Sequence, residues 1–164
     1  LEAGLAGGAD VILIPEVPVK IDDVCDMIKR RHTRGKTFSI VAVAEGAKLT
    51  GGEEVAEEKL DEFGHVRLGG IGQLVGHRIE EKTGYETRVT LLGHIQRGGS
   101  PTAFDRVLGT RFGVRAVELI KENKFGRMVS LRGRQIVDVA IADAIKQLKL
   151  VDKELYQLAS VFFG

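Results

Sequence analysis

Several features that would place a protein in a special class are scarce or lacking in this sequence of 164 residues. It has one cysteine, Cys25, which lies among apolar neighbours on a predicted helix and is interpreted as a buried thiol rather than a nucleophile or a metal ligand. No apolar run approaches the roughly 18 residues that a membrane-spanning helix requires, and the first residues lack the pattern of a signal peptide. These absences favour a cytoplasmic protein that does not enter the membrane.

A large charge of one sign is also lacking. The formal net charge of +1 gives no field over the whole molecule that would attract nucleic acid or a membrane surface. Any anion must therefore bind to a local cluster of basic side chains. The histidines have no metal-ligand spacing and the sequence has no zinc or redox motif, so we predict no metal site within this chain.

Apolar runs alternate with helical patterns along most of the chain. Hydrophobic residues make up 43% of the sequence, enough for one sizeable core. Strands that alternate with helices indicate an α/β fold, here a Rossmann-like three-layer α/β/α arrangement with a mainly parallel sheet. The predicted strands are 10–15, 38–44, 86–92, 128–131 and 136–139; the predicted helices run from Asp22 or Asp23 to Gly35 and over 70–83, 102–122, 140–148 and 152–159; a long loop occupies 46–68.

The polar residues of most interest follow two of these strands. Glu45 ends one strand, and the run Gly93–Pro101 follows another. Ligands of parallel sheets gather at the carboxyl ends of strands. Arg97 offers a planar fork of donors for phosphate oxygens, His94 can donate one hydrogen bond, and Gly98 and Gly99 let backbone N–H groups approach closely. Two or three charge-assisted bonds, each about 1.5–3 kcal/mol, would support micromolar affinity for a phosphate monoester.

Each of these residues also has a plain structural interpretation. A glycine pair before a helix is commonly a tight turn, His94 could be a hydrogen-bonded core residue, and Glu45 could cap a loop. Arg88 could be an exposed strand residue paired with Glu86 or Glu80. On an extended strand it lies about 20 Å from His94. It therefore serves either a different site or the same site in a neighbouring subunit.

The run Glu86–Pro101, with Phe104-Asp105-Arg106 after it, resembles the most distinctive motif in the carboxyl-terminal half of the 6-phosphofructokinases. Similarity extends over nearly the whole chain, through the segments 6–16, 40–46 and 125–129. Phe63-Gly64-His65-Val66-Arg67-Leu68 and the ending Val161-Phe162-Phe163-Gly164 are similar to the actinobacterial-type branch, which contains both ATP-dependent and pyrophosphate-dependent enzymes.

The resemblance implies a role for each matching residue. Glu45 would accept hydrogen bonds from hydroxyls of the fructose ring, and His94 with Arg97 would hold the 6-phosphate of fructose 6-phosphate in the same subunit. Arg88 matches an arginine that crosses to the neighbouring subunit's sugar phosphate, which makes the active form a homo-oligomer, dimer or tetramer. Mg²⁺ with ATP or pyrophosphate as donor would be bound mainly by the other half of the protein.

The resemblance also implies that this sequence is a portion of a larger enzyme. Residues 1–164 match the sugar-phosphate-binding part, and about 95–150 are expected to pack with the amino-terminal domain. The family's upstream donor loop and its catalytic aspartate motif have no match here, so no catalytic residue is assigned. We expect the isolated chain to bind fructose 6-phosphate weakly and to lack kinase activity. The alternative is a non-catalytic sugar-phosphate-binding or regulatory module.

A regulatory site is a further implication of the resemblance. Arg34 and Lys36 stand where allosteric relatives have basic residues that bind an effector, and Asp10 matches an acidic residue near the effector's metal. Thr37 and Phe38 replace basic residues expected there. Strong effector control is therefore not expected, and a solvated helix end with basic residues is an equal interpretation.

Overall fold

The computed structural model describes residues 1–50 and 70–163. Residues 51–68 of the predicted loop, with the Phe63–Leu68 motif, therefore lie outside the described residues. The start of that predicted loop contains a short strand, Leu49–Thr50, which the sequence did not predict. The chain divides into two compact units, Leu1–Leu91 with Leu150–Gly164, and Leu92–Lys149.

Two parallel strand pairs lie in the first unit. Helix α1 spans Glu2–Ala6, and strand β1, Val11–Leu13, follows it. β1 pairs in parallel with β3, Val41–Val43, with Val11 opposite Val41 and Leu13 opposite Val43. Strand β2, Val19–Lys20, pairs in parallel with β4, Leu49–Thr50. All three residues of β1 are buried, as a continuous apolar run within a parallel sheet predicts.

Helix α2, Ile21–Thr33, packs its apolar side into the main core of this unit. The prediction that Asp22 or Asp23 caps the helix is wrong, since the N-cap is Lys20 and both aspartates lie in the first turn. Acidic side chains there still favour the helix through its dipole. Gly35 follows the helix at φ 84°, a conformation that suits glycine, and the predicted end is confirmed.

Helix α3, Gly70–Thr83, ends at the predicted residue. Ile71, Val75 and Ile79 recur at helical spacing and are buried against α2. Gly84, at φ 74°, follows the last residue of the helix. Apolar periodicity and a terminal glycine were sufficient signals in this part of the sequence.

The predicted strand over 86–92 is wrong, because no strand is assigned between α3 and residue 93. The side chains nevertheless alternate: Tyr85, Thr87 and Val89 are half-buried, whereas Glu86 and Arg88 are exposed. Such alternation is typical of an extended segment with one side packed against the protein. The sequence of the segment could not predict whether a neighbouring strand would pair with it. Among the described residues, its backbone forms no hydrogen bond with another strand.

The second unit begins with a short 3₁₀ helix, Gly93–Arg97, and continues into helix α4, Ala103–Lys121. Strands β5, Arg127–Arg132, and β6, Gln135–Ala140, form an antiparallel hairpin, so this part of the protein departs from the parallel pattern. Helix α5 is only Ile141–Ala144, much shorter than the predicted 140–148. Leu119 is the residue of α4 that is buried.

The carboxyl-terminal helix α6, Lys153–Ser160, belongs to the first unit. Asp152 caps it by accepting a hydrogen bond from the Glu154 backbone N–H at 2.9 Å. Ala159 is fully buried beside Ile12 in a second, smaller core. The helices and the short parallel pairs together form an α/β fold. No helix in the described ranges is long and apolar enough to cross a membrane.

Candidate functional site

Glu45 lies where the sequence predicted, directly after the carboxyl end of β3. The Ala44 N–H donates to Leu13 O at 2.9 Å, which extends the β1–β3 pairing by one residue. The Ala47 N–H then donates to Ala44 O at 2.9 Å and closes a turn that contains Glu45. The Glu45 side chain is exposed, and within residues 1–50 and 70–163 it has no hydrogen bond or ion pair. Its carboxylate is therefore available to accept hydrogen bonds from a ligand.

Arg88 projects from the segment that follows α3. Its guanidinium donates twice to one oxygen of Glu86, from Nε at 2.9 Å and from a terminal nitrogen at 2.8 Å. Both side chains are largely exposed, 87% for Arg88 and 74% for Glu86. A pair this exposed is screened by water and contributes little to stability. Arg88 therefore pairs with Glu86, one of the two partners that the sequence suggested, and most of its guanidinium remains accessible.

The loop that carries His94 and Arg97 is a 3₁₀ turn. The Ile95 N–H donates to Leu92 O at 2.9 Å, and the Gly98 N–H donates to Ile95 O at 3.2 Å. Residues three apart in a 3₁₀ helix stand one above the other, so positions 94 and 97 share one side of the turn. The His94 side chain is exposed, so it is not a core histidine, and that of Arg97 lies outside the described residues.

The expected contribution of the glycine pair needs correction. The N–H of Gly98 is already used inside the turn and is not available to a phosphate. Gly99 has φ 105°, a backbone conformation that side chains rarely adopt, and it redirects the chain toward α4. The glycines therefore shape the loop.

The amino terminus of α4 carries its own acceptor. Thr102 and Asp105 form a capping box, in which Thr102 Oγ1 accepts from the Asp105 N–H at 3.2 Å and Asp105 Oδ2 accepts from the Thr102 N–H at 2.8 Å. The Thr102 hydroxyl and backbone N–H hold the pKa of Asp105 below its ordinary value. This carboxylate already occupies the positive end of the helix. Phosphate binding at the loop would therefore depend on side chains rather than on the helix terminus.

The four predicted substrate-binding residues divide between the two units. Glu45 and Arg88 belong to the first unit, and His94 and Arg97 to the second. The three side chains that the structure describes, those of Glu45, Arg88 and His94, are all exposed.

Asp10 takes part in a contact that sequence reasoning missed. Its carboxylate accepts from Arg31 at 2.6 Å and from the Ile40 backbone N–H at 2.8 Å, and Arg31 Nε also donates to Ser39 Oγ at 3.2 Å. Asp10 and Arg31 are 14% and 16% exposed. Twenty residues lie between the two in the sequence, so no local pattern could have indicated the pair. Arg34 and Lys36 are exposed at the end of α2.

A second missed cluster links α4 to the hairpin. Arg115 donates to Asp138 and to Glu122, each at 2.9 Å, and Arg127 also pairs with Asp138. Arg115 and Arg127 hold the pKa of Asp138 below its ordinary value. Within residues 1–50 and 70–163, no group of His, Cys, Asp or Glu is arranged to hold a metal ion.

Comparison with known proteins identifies the family that this chain resembles. A family model described as Phosphofructokinase matches residues 1–120. The pyrophosphate–fructose 6-phosphate 1-phosphotransferase of Streptomyces coelicolor is 52% identical over the whole chain, and the ATP-dependent 6-phosphofructokinase of Mycobacterium leprae is 48% identical. In both cases the match covers all of this chain and 48% of the relative, so the chain spans about half the length of these relatives.

Solved structures give the same result for the fold. The phosphofructokinase of Saccharomyces cerevisiae aligns with a TM-score of 0.65 and 27% identity, over 98% of this chain and 20% of that protein. The Pichia pastoris phosphofructokinase in the T-state aligns with a TM-score of 0.61 and 29% identity, over 98% of this chain and 16% of that protein.

Proposed function

This chain belongs to the phosphofructokinase family, and from that premise we propose that it supplies the fructose 6-phosphate site of a 6-phosphofructokinase that acts in cytoplasmic glycolysis. The observation that carries the proposal is that Glu45, Arg88, His94 and Arg97 all fall within residues 1–120, the part matched by the family model. The names of the relatives at 48–52% identity state the substrate for those proteins. The exposure of the described members of this set is the property that a binding role requires.

Each side chain has a chemical part in the proposed site. His94 and Arg97, three apart on one turn, would donate hydrogen bonds to the phosphate oxygens of the sugar. Glu45 would accept from the ring hydroxyls, since its carboxylate is exposed in a turn at a strand end. Arg88 would reach the sugar phosphate of a neighbouring copy, which requires the protein to act as a homo-oligomer.

The phosphoryl donor would be ATP or pyrophosphate, since relatives of similar identity are named for each. Mg²⁺ would accompany the donor. As the family resemblance implies, donor and metal would be held mainly by the part of the relatives that this chain does not match. Phosphoryl transfer needs the donor, the metal and a base in fixed positions.

An effector role for Asp10, Arg34 and Lys36 stays a prediction. The two contacts of the Asp10 carboxylate, to Arg31 and to the Ile40 N–H, give it a structural role without any ligand. The proposed function therefore involves the fructose 6-phosphate site and not an effector site.

Titration calorimetry with fructose 6-phosphate tests the site directly. Replacing Arg97 by Ala removes a charge-assisted interaction, which contributes about 1.5–3 kcal/mol, so we expect at least a tenfold weaker affinity. Arg132→Ala removes the same charge from the exposed end of β5 and serves as the matched control. Equal affinity of the wild type and the Arg97→Ala variant would overturn the proposal.

A further inference from the structure

Gly76 occupies an unusual place in α3. It lies in the middle of the helix and is buried, although glycine is a poorer helix former than alanine. A Cβ atom at this position would lie 2.4 Å from Val89 Cγ2, 3.5 Å from Thr87 Cγ2 and 4.0 Å from Val89 Cβ. The first distance is far inside van der Waals contact. Any side chain at position 76 would therefore displace Val89.

The segment that packs closely against Gly76 contains Thr87 and Val89 and therefore also carries Arg88. Thr87 and Val89 face α3, and Arg88, between them, is 87% exposed on the other side. Among the described residues no strand pairs with this segment. In the described part of the chain, packing of Thr87 and Val89 against α3 is therefore a contact that sets how far Arg88 stands from the helix.

We propose that Gly76 is a positioning residue for Arg88. Because Gly76 has no side chain, Val89 packs directly on α3, and this contact places the Arg88 guanidinium where it can bind a sugar phosphate. The inference deepens the proposed function and rests on it. Gly76 itself touches no substrate, and its effect passes through Val89.

Gly72 provides a matched control one turn earlier on the same helix. A Cβ atom there would meet Val89 Cγ1 at 3.8 Å, which is ordinary contact. Gly72→Ala and Gly76→Ala make the same chemical change in the same helix, and only the second meets Val89 too closely. Val89→Ala removes the atom at 2.4 Å and leaves Val89 Cβ at 4.0 Å, so the double variant Gly76→Ala/Val89→Ala relieves the clash.

The test measures fructose 6-phosphate affinity by calorimetry, at a protein concentration where sedimentation equilibrium shows the homo-oligomer. We expect Gly76→Ala to bind at least tenfold more weakly, Gly72→Ala to bind as the wild type does, and Gly76→Ala/Val89→Ala to return to within threefold of the Val89→Ala variant. The Val89→Ala variant alone measures the cost of the truncation, so recovery is judged against it. Unchanged affinity in Gly76→Ala, or no recovery in the double variant, would overturn the role of Gly76.

Two further measurements separate this inference from the proposed function. Arg88→Ala should weaken binding at least as much as Gly76→Ala does; if it binds as the wild type does, the proposed role of Arg88 fails, and with it the inference. Methyl NMR of Val89 tests the geometry without any ligand. Gly76→Ala should shift the Val89 methyl signals much more than Gly72→Ala does, and equal small shifts would refute the steric premise.

Discussion

At the scale of single residues, the Asp10 carboxylate is a firmly held polar group of the first unit. It accepts one hydrogen bond from the Arg31 guanidinium and one from the backbone N–H of Ile40, and so joins the start of β1, the last turn of α2 and the residue before β3. The pair is mostly shielded from water. Charge-assisted hydrogen bonds in such surroundings stabilise a protein more than surface ion pairs do.

We therefore expect Asp10→Ala to lower the free energy of unfolding by about 2 kcal/mol, because it removes a charged acceptor and leaves Arg31 and the Ile40 N–H without it. Urea unfolding followed by circular dichroism measures the change, provided that the slope with denaturant is unchanged. Glu86→Ala removes a carboxylate from an exposed pair and should change stability by less than about 1 kcal/mol. Similar losses in the two variants would contradict the anchoring role.

The substrate residues show what a sequence can and cannot predict at this scale. The position of Glu45 after a strand followed from pattern alone, whereas Arg88 was predicted on a strand and lies in an extended segment without strand pairing among the described residues. The use of the Gly98 N–H inside the 3₁₀ turn could not be predicted, because turn type depends on backbone angles that several loop sequences share. The close approach of Val89 to Gly76 also needed the structure, since it depends on how two segments pack.

At the scale of elements, apolar periodicity and a terminal glycine predicted α3 and the residue at which it ends, whereas the predicted strand over 86–92 is not found. Helices satisfy their hydrogen bonds internally, so a helix can be recognised from its own sequence. A strand needs a partner that its sequence does not name. The same reason explains why the hairpin strands were located but their antiparallel pairing was not anticipated.

The capping box of α4 gives a prediction at this scale. Thr102→Ala removes the acceptor for the Asp105 N–H and should lower the free energy of unfolding by about 1 kcal/mol. Thr110→Ala is the matched control, because Thr110 lies inside the same helix and its hydroxyl donates to Arg106 O. Alanine favours a helix interior, so this change should be neutral or stabilising. Chemical denaturation of the two variants compares them, and effects of the same sign and size would contradict the cap.

The ion pairs between α4 and the hairpin predict a dependence on pH. Arg115 and Arg127 lower the pKa of Asp138 in the folded protein, so this carboxylate stabilises the fold at pH values above the pKa of an unfolded aspartate, about 3.9. The stabilisation is lost as the pH falls through the lower pKa of the folded state. Between pH 7 and pH 5 the contribution should be constant.

Thermal unfolding at a series of pH values measures this effect. Asp138→Asn should lower the unfolding midpoint at pH 7, and the difference from the wild type should shrink below about pH 4. Asp143→Asn removes a carboxylate from an exposed pair with Lys146 and serves as the control. A difference between wild type and Asp138→Asn that stays the same down to the acid limit would show that charge pairing at Asp138 is not its cause.

At the scale of the whole molecule, the chain spans about half the length of its relatives, and the described surface of the second unit is rich in apolar side chains. Leu108, Phe112 and Leu119 lie on the packed side of α4, while apolar residues on its other side remain exposed. A helix that is apolar on both sides is usually buried on both sides. The exposed apolar residues of this unit are Leu92, Ile95, Phe104, Val107, Val114, Val117, Ile120, Phe125, Met128, Ile141, Ile145 and Leu148.

We expect the purified chain to show no turnover of fructose 6-phosphate with either ATP or pyrophosphate in the presence of Mg²⁺. Transfer requires a donor site and a base in addition to the sugar site. A coupled assay for fructose 1,6-bisphosphate measures this, with the Streptomyces coelicolor relative as the positive control. Turnover by the isolated chain would contradict the expectation that its chemistry depends on the other half.

The exposed side of α4 should be the surface that joins this other half, in keeping with the proposal that about 95–150 pack against the amino-terminal domain. Val114 and Val117 are 56% and 52% exposed, so Val114→Glu/Val117→Glu should leave the thermal unfolding of the chain nearly unchanged. Two buried carboxylates would, however, be strongly unfavourable in an apolar interface.

The measurement is co-purification of the chain with the unmatched amino-terminal half of the Streptomyces coelicolor relative. We expect the wild type and Lys121→Glu, an exposed charge change at the end of the same helix, to form the complex, and the double variant to lose it. Association of the double variant at wild-type strength would place the interface elsewhere.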